Sequence, residues 1–254
     1  MKRLKWIGLG LWAIALATTP AWSQQAANVD LELVLAIDVS SSVDGNEFDL
    51  QTKGLAEAFR HPAVHNAVRA LGGIGIAVAV VQWSGEGEQE IVVDWTRVAD
   101  SATANALARQ IDNAPRAISG GQTSIGDALR YSLELFEGNG YQGRRRVIDV
   151  SGDGRANAGA DPSLLRDLAI FQGVTVNGLT ILNEEPFVDS YYQYNVIGGD
   201  GAFQMSADDF EDFALVILKK LVREITVPFS QLDLEQQARA AVVRPSPGGG
   251  ASAP

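Results

Sequence analysis

The chain has 254 residues, 46% of them hydrophobic, with 20 Lys+Arg against 31 Asp+Glu and a net charge of −11. That length and hydrophobic content bury the core of one α/β domain or two small ones and exclude wholesale disorder, while the negative charge opposes nucleic acid as a partner. With no cysteine, disulfides, thiol catalysis, zinc–cysteine sites and a lipid-anchored cysteine are excluded, and two histidines argue against a histidine metal cluster.

Lys2, Arg3 and Lys5 precede an apolar run from Trp6 to Ala17, then Pro20 and Ala21-Trp22-Ser23. A basic head, an apolar stretch and small residues two apart predict a secretory signal over 1–23, cut after Ser23. The run is shorter than the ~20 residues of a spanning helix, so no stable membrane insertion is expected after cleavage. Taking these three basic residues from 20, against 31 acidic ones, leaves an exported, soluble chain of charge −14.

The remaining chain alternates strand and helix. Leu31–Ile37 is nearly continuous apolar sequence, as in a buried parallel strand, and a helical pattern follows through Phe48, Leu55 and Phe59. Ile74–Val81 predicts a second strand, and Glu90–Trp95 a third, paired with it as a hairpin. Helices are predicted over Ser101–Ile111, Ser124–Phe136 and Pro162–Phe171, and strands over Arg146–Val150 and Val174–Leu182. The segment Asn183–Gly201 reads as irregular, with a short last strand at Ala202–Met205. The final helix contains Phe210, Phe213, Ala214, Ile217 and Leu221, with Ser206 and Asp208–Asp209 supplying its N-terminal cap and charge. Residues 24–228 form one domain on this reading, and 229–254 a polar tail with a disordered Pro/Gly/Ser/Ala end. The implied fold is α/β: a doubly wound, mostly parallel sheet flanked by helices, with one antiparallel edge strand. Ligands of such sheets bind beyond the carboxyl ends of the strands.

Those ends carry oxygen. The first strand runs into Asp38-Val39-Ser40-Ser41-Ser42, a Gly120-Gly121-Gln122-Thr123-Ser124 turn opens a helix, and the strand at 146–150 runs into Ser151-Gly152-Asp153-Gly154. Asp38, Ser40, Ser42, Thr123 and Asp153 together offer three hydroxyls and two carboxylates. Such a set suits a hard divalent cation, Mg²⁺ first, with Mn²⁺ or Ca²⁺ as alternatives. Neutral hydroxyls among the ligands leave the ion charge with which to take one more oxygen from a partner.

These three motifs, in this order, resemble the metal-ion-dependent adhesion site (MIDAS) of von Willebrand factor type A domains. The resemblance covers about residues 29–226. Arg145–Gly154, Asn195-Val-Ile-Gly-Gly199 and Asp208-Asp-Phe-Glu-Asp-Phe-Ala214 are more closely similar to a group of exported bacterial proteins of this class. The resemblance implies a periplasmic or secreted module that binds a divalent cation through Asp38, Ser40, Ser42, Thr123 and Asp153. Through the ion it would engage an Asp or Glu on a protein partner. Loops 85–90, 154–161 and 183–200 would then set specificity, and Tyr191, Tyr192 and Tyr194 are candidates for the partner surface or for cover over the sheet edge.

Each motif has a plainer reading: the serines after Asp38 as a cap, Thr123 or Ser124 as a cap with Asp127, and Asp153 as a turn residue. Asp44 and Glu47 read as helix-start charges. Asp149 interrupts an apolar strand and reads as a structural group, with support of the metal site as the alternative. His61 and His65 are four apart, but Pro62 lies between them, so they read as surface residues. No dinucleotide fingerprint, P-loop lysine or nucleophile elbow is present, and no catalytic constellation is assigned. A metal-dependent phosphoesterase and a structural or envelope-assembly protein with a degenerate site are the alternatives.

Overall fold

The apolar run after residue 28 becomes the middle of a sheet. In the computed structural model, which describes residues 26–226, β1 (Ala27–Asp38) is buried from Val29 to its end. The expected signal segment 1–23 and polar tail 229–254 lie outside the described residues. β2 (Ile76–Trp83) and β4 (Tyr141–Gly152) flank β1, both parallel to it. β5 (Val174–Ile181) and β6 (Gln204–Ala207) continue in parallel beyond β4. β3 (Gln89–Val98) forms the opposite edge, antiparallel to β2, so the order is β3-β2-β1-β4-β5-β6.

Side chains alternate across β1. Leu31, Leu33, Leu35 and Ile37 enter one core; Val34 and Ala36 enter the other. The first core lies under α1 (Gly45–Arg60), α2 (Pro62–Ala70), α3 (Ser101–Asn113) and α7 (Phe210–Thr226). The second lies under α4 (Ile125–Glu134), α5 (Pro162–Phe171) and α6 (Val188–Asn195). Coverage of both faces explains the apolar strands. The expected doubly wound α/β fold, with its one antiparallel edge strand, is present.

Helix starts follow local chemistry. Asp44 accepts the Asn46 and Glu47 amides at 2.7 and 2.9 Å while the Glu47 carboxylate accepts the Asp44 amide at 2.8 Å, a capping box. His61 caps α2 by accepting the Ala63 amide at 3.1 Å, with Pro62 in the first turn, and His65 Nε2 bonds Phe59 O at 2.8 Å. The two histidines therefore build a helix junction. At α7, Asp209 accepts the Asp212 amide at 2.9 Å, whereas the Ser206 hydroxyl bonds Thr180 at 2.9 Å, so the expected cap falls to Asp209 and not Ser206.

Besides α2, which was not expected, and β6, which lies at Gln204–Ala207 rather than Ala202–Met205, two elements differ from expectation. The supposedly irregular 183–201 segment contains α6, whose inward face is Val188, Tyr192 and then Val196, all fully buried. Asp, Ser, Tyr and Asn are weak helix formers, and tertiary burial of that face overrides their propensity. β4 begins at Tyr141 rather than Arg146. Its first residues pair with β1 alone, from Ala27–Tyr141, before β5 joins at Arg146–Val174, so this stretch tolerates polar side chains.

Asp149 is buried in β4 and forms an ion pair with Lys220 of α7 at 2.7 Å; Lys220 also donates to Glu224 at 2.6 Å, and Asn177 Nδ2 donates to Glu224 at 3.0 Å. Its role is thus structural, tying α7 to the sheet. Burial and the neighbouring Asp149 charge push Glu224 up to about 7, against the opposing pull of Lys220.

Candidate metal centre

The sheet's connections diverge between its two central strands: β1 leads outward to β2, and β4 leads outward to β5. A crevice opens at such a switch point, beyond the carboxyl ends. Asp38 is the last residue of β1, and Asp153 follows the last residue of β4. Because Ile37 registers with Ser151, the two aspartates leave adjacent strands within one residue of the same level.

Asp38 and Asp153 are both fully buried. Asp38 Oδ1 accepts the Ser40 amide at 2.8 Å. The Ser40 and Ser42 hydroxyls share a 3.0 Å hydrogen bond, and the Ser42 hydroxyl donates to Asp153 Oδ1 at 2.8 Å. Four of the five sequence-named residues therefore form one chain of contacts. Thr123 reaches it through its loops. Its amide donates to Asn157 Oδ1 and its carbonyl accepts the Asn157 amide, both at 2.9 Å, joining it to the segment after Asp153. The Ser41 amide donates to Gly121 O at 3.0 Å, joining the threonine turn to the serine loop.

The two capping readings do not account for this arrangement. Asp44, not Asp38 or its serines, caps α1. Ser124 precedes α4 without capping it, its hydroxyl donating to Asp127 Oδ2 at 2.6 Å. Asp38 Oδ2 and Asp153 Oδ2 remain buried with no hydrogen-bond partner. Burial first, then the charge of Asp153, pushes the Asp38 carboxyl up to about 8, against the Ser40 amide and Arg116. Asp153 is raised chiefly by burial, opposed by its bond from Ser42. Two buried carboxylates, each with one oxygen left unpartnered, are costly unless a proton or a cation satisfies them. No group of three or more His, Cys, Asp or Glu converges among the described residues. A cation here would be held by two carboxylates with hydroxyls, and that donor set fits a hard divalent ion.

Several supporting residues carried no sequence signal. Arg116 donates to Val39 O (2.9 Å), Ser40 O (3.2 Å), Val43 O (2.9 Å), Asp44 O (3.4 Å) and Ile118 O (3.2 Å), and stacks over Phe48. Gln82 pins the arginine's own loop through Pro115 O and the Ala117 amide. Gln51 donates to Asp38 O at 3.2 Å. A loop arginine and two glutamines look like ordinary solvated residues until the fold closes around them. Of the three tyrosines, Tyr194 is exposed and Tyr191 half-buried, whereas Tyr192 is fully buried and is removed from any contact surface.

Comparison with solved structures places the fold. Proximal thread matrix protein 1 from the mussel byssus matches at 21% identity and TM-score 0.60, over 78% of this chain and 47% of that one. A form of it described with a zinc-occupied MIDAS motif matches at 19% and 0.56, over 78% and 48%. A von Willebrand factor type A protein from Catenulispora acidiphila matches at 16% and 0.54, over 78% and 43%. The chain thus spans about half the length of these proteins or less, and at such identities the likeness is one of fold. No curated protein matches. A family profile described as "Protein of unknown function (DUF1194)" matches residues 28–229. The chain belongs to that family, and it has the von Willebrand factor type A fold.

Proposed function

We propose that this protein is an exported, non-enzymatic binding module. On this reading it holds a divalent cation, Mg²⁺ first, through Asp38, Ser40, Ser42, Thr123 and Asp153, and engages an acidic side chain of a protein partner through it. The observation that carries the reading is the pair of buried, unpartnered carboxylate oxygens on Asp38 and Asp153, bridged by the Ser42 hydroxyl. The zinc-occupied motif of the mussel protein, which shares the fold, supports it.

A bound ion would supply the positive charge that attracts a carboxylate oxygen of the partner. The protein's part is to hold the donors still. Ser40 fixes the Asp38 carboxylate, Ser42 fixes that of Asp153, and Arg116 fixes the loop between them. The basic head, apolar run and small residues of segment 1–23 support export.

Thermal unfolding with EDTA, Mg²⁺, Mn²⁺ or Ca²⁺, beside Asp153→Ala, tests the reading. A saturable rise in melting temperature that the variant lacks is expected, because an ion bound to the native state stabilises it by mass action. No rise with any ion at millimolar concentration refutes the cation-binding step. Retention of the protein on an immobilised Glu-rich peptide with Mg²⁺, and its release by EDTA, is the expected result for the partner step, and retention indifferent to EDTA refutes it.

A further inference from the structure

Behind the aspartates, two hydrogen-bond donors are stranded beside two stranded acceptors. Tyr192 Oη and Trp83 Nε1 are buried without partners, as are Asp38 Oδ2 and Asp153 Oδ2. Three of these side chains converge on the bare face of Gly152. A Cβ placed there would lie 2.5 Å from Tyr192 Oη, 2.9 Å from Asp38 Oδ2 and 3.4 Å from Trp83 Cζ2. Leaving so many buried polar groups unpaired is costly, and the Tyr192 hydroxyl and Asp38 Oδ2 border the same bare face of Gly152. Asp38 is secured at one oxygen alone, by the Ser40 amide at Oδ1.

We propose that Tyr192 is a positioning residue of the cation site. Its hydroxyl donates to Asp38 Oδ2 and fixes that carboxylate against Gly152, with Trp83 Nε1 as the second donor of the same pocket. The inference rests on the cation-binding reading above and adds a residue from α6, an element with no part in the five-residue set. The tyrosine is built for the task. Its ring is fully buried in the core beside Val188 and Val196, so the hydroxyl cannot swing to solvent. A phenol hydroxyl carries one proton to donate, and a carboxylate oxygen can only accept it. The absent side chain at Gly152 makes the approach possible.

The experiment titrates Mn²⁺ into the full chain by calorimetry, beside Tyr192→Phe, Tyr191→Phe and Asp38→Ala. Tyr192→Phe removes one oxygen and keeps the core volume. Its melting temperature in EDTA should stay near that of the parent, while Mn²⁺ affinity falls on the order of tenfold, as for the loss of a group that orients a metal ligand. Tyr191→Phe should bind as the parent does, and Asp38→Ala should not bind. A tyrosine ultraviolet difference band on adding Mg²⁺ to the parent, retained in Tyr191→Phe and lost in Tyr192→Phe, is the second readout. Should Tyr192→Phe fail to fold, absence of that band in the parent overturns the proposal and its presence in both parent and Tyr191→Phe upholds it. Parent-like Mn²⁺ affinity in folded Tyr192→Phe overturns the role of Tyr192 and leaves the cation site standing. No Mn²⁺ binding by the parent overturns both.

Discussion

Replacing Asp38 by asparagine should make the ion-free protein more stable while abolishing its response to cations. Asp38 is fully buried, and its carboxyl is pushed up to about 8 by burial and by Asp153. At pH 7 the unfolded chain ionises this group about three pH units above its ordinary value, whereas the folded chain keeps the proton. At ~1.4 kcal/mol per unit, folding therefore gives up about 4 kcal/mol at this residue. The sign follows from the raised value: the penalty is absent well below pH 4, grows as pH rises, and levels off above pH ~8. Asparagine carries no such penalty, retains an oxygen for the Ser40 amide, and can turn its own amide toward the Tyr192 hydroxyl. Allowing for imperfect pairing, the gain at pH 7 is about 3 kcal/mol, or ~10 °C in melting temperature for a domain of this size. Calorimetric melting in EDTA from pH 4 to 8 measures it. Mg²⁺ at ~100 times its dissociation constant should return about 2.7 kcal/mol to the parent and nothing to the variant. An Asp38→Asn protein that melts below its parent in EDTA at pH 7, or that Mg²⁺ stabilises equally, refutes the reasoning.

Three further outcomes follow from the same structure. Glu224, raised to about 7 in the folded chain, should make stability fall as pH rises from ~4.5 to ~7, and Glu224→Gln should flatten that slope in urea unfolding. Lys220→Met leaves Asp149 and Glu224 buried without their cation and should destabilise the fold by about 3–5 kcal/mol, read as a lower urea midpoint at unchanged slope. Gly152→Ala sets a methyl against Tyr192 Oη and Asp38 Oδ2 and should lower stability by about 1–3 kcal/mol as it removes Mg²⁺-dependent stabilisation, checked by melting with and without the ion.

The fold was legible where burial imposes a strong pattern. The runs of β1, β2 and β5 are apolar because both sheet faces are covered, and α5 announces itself through Asp161 and Pro162 at its start. Residues 141–145 were illegible as strand because their edge position removes that demand, and α6 because a tyrosine-rich, Asn/Asp-containing helix shows one inward residue per turn. The three oxygen-bearing motifs stood out because strand ends are where short polar runs interrupt apolar ones. Asp38, Ser40, Ser42 and Asp153 do meet through hydrogen bonds, and their role as ligands is the proposal above. Arg116, Gln51, Trp83 and Tyr192 were hidden because their relation to the site depends on chain segments 13 to 154 residues from Asp38, which no local pattern encodes.

The acceptors that hold Arg116 are all main-chain carbonyls, so its positive charge is left unneutralised beneath the serine loop. Around a bound ion, two ionised aspartates, the part-buried guanidinium and the ion's two charges would sum to a single positive one at the innermost level, with Glu47 and Glu184 farther out. The loaded crevice would thus be a monocation set in an anionic protein, matched in magnitude to one carboxylate. A neutral hydroxyl or amide offered by a partner would leave that charge uncompensated, and a second acidic group would overshoot it. Selectivity for one acidic side chain would then reside in an arginine that never touches the ligand.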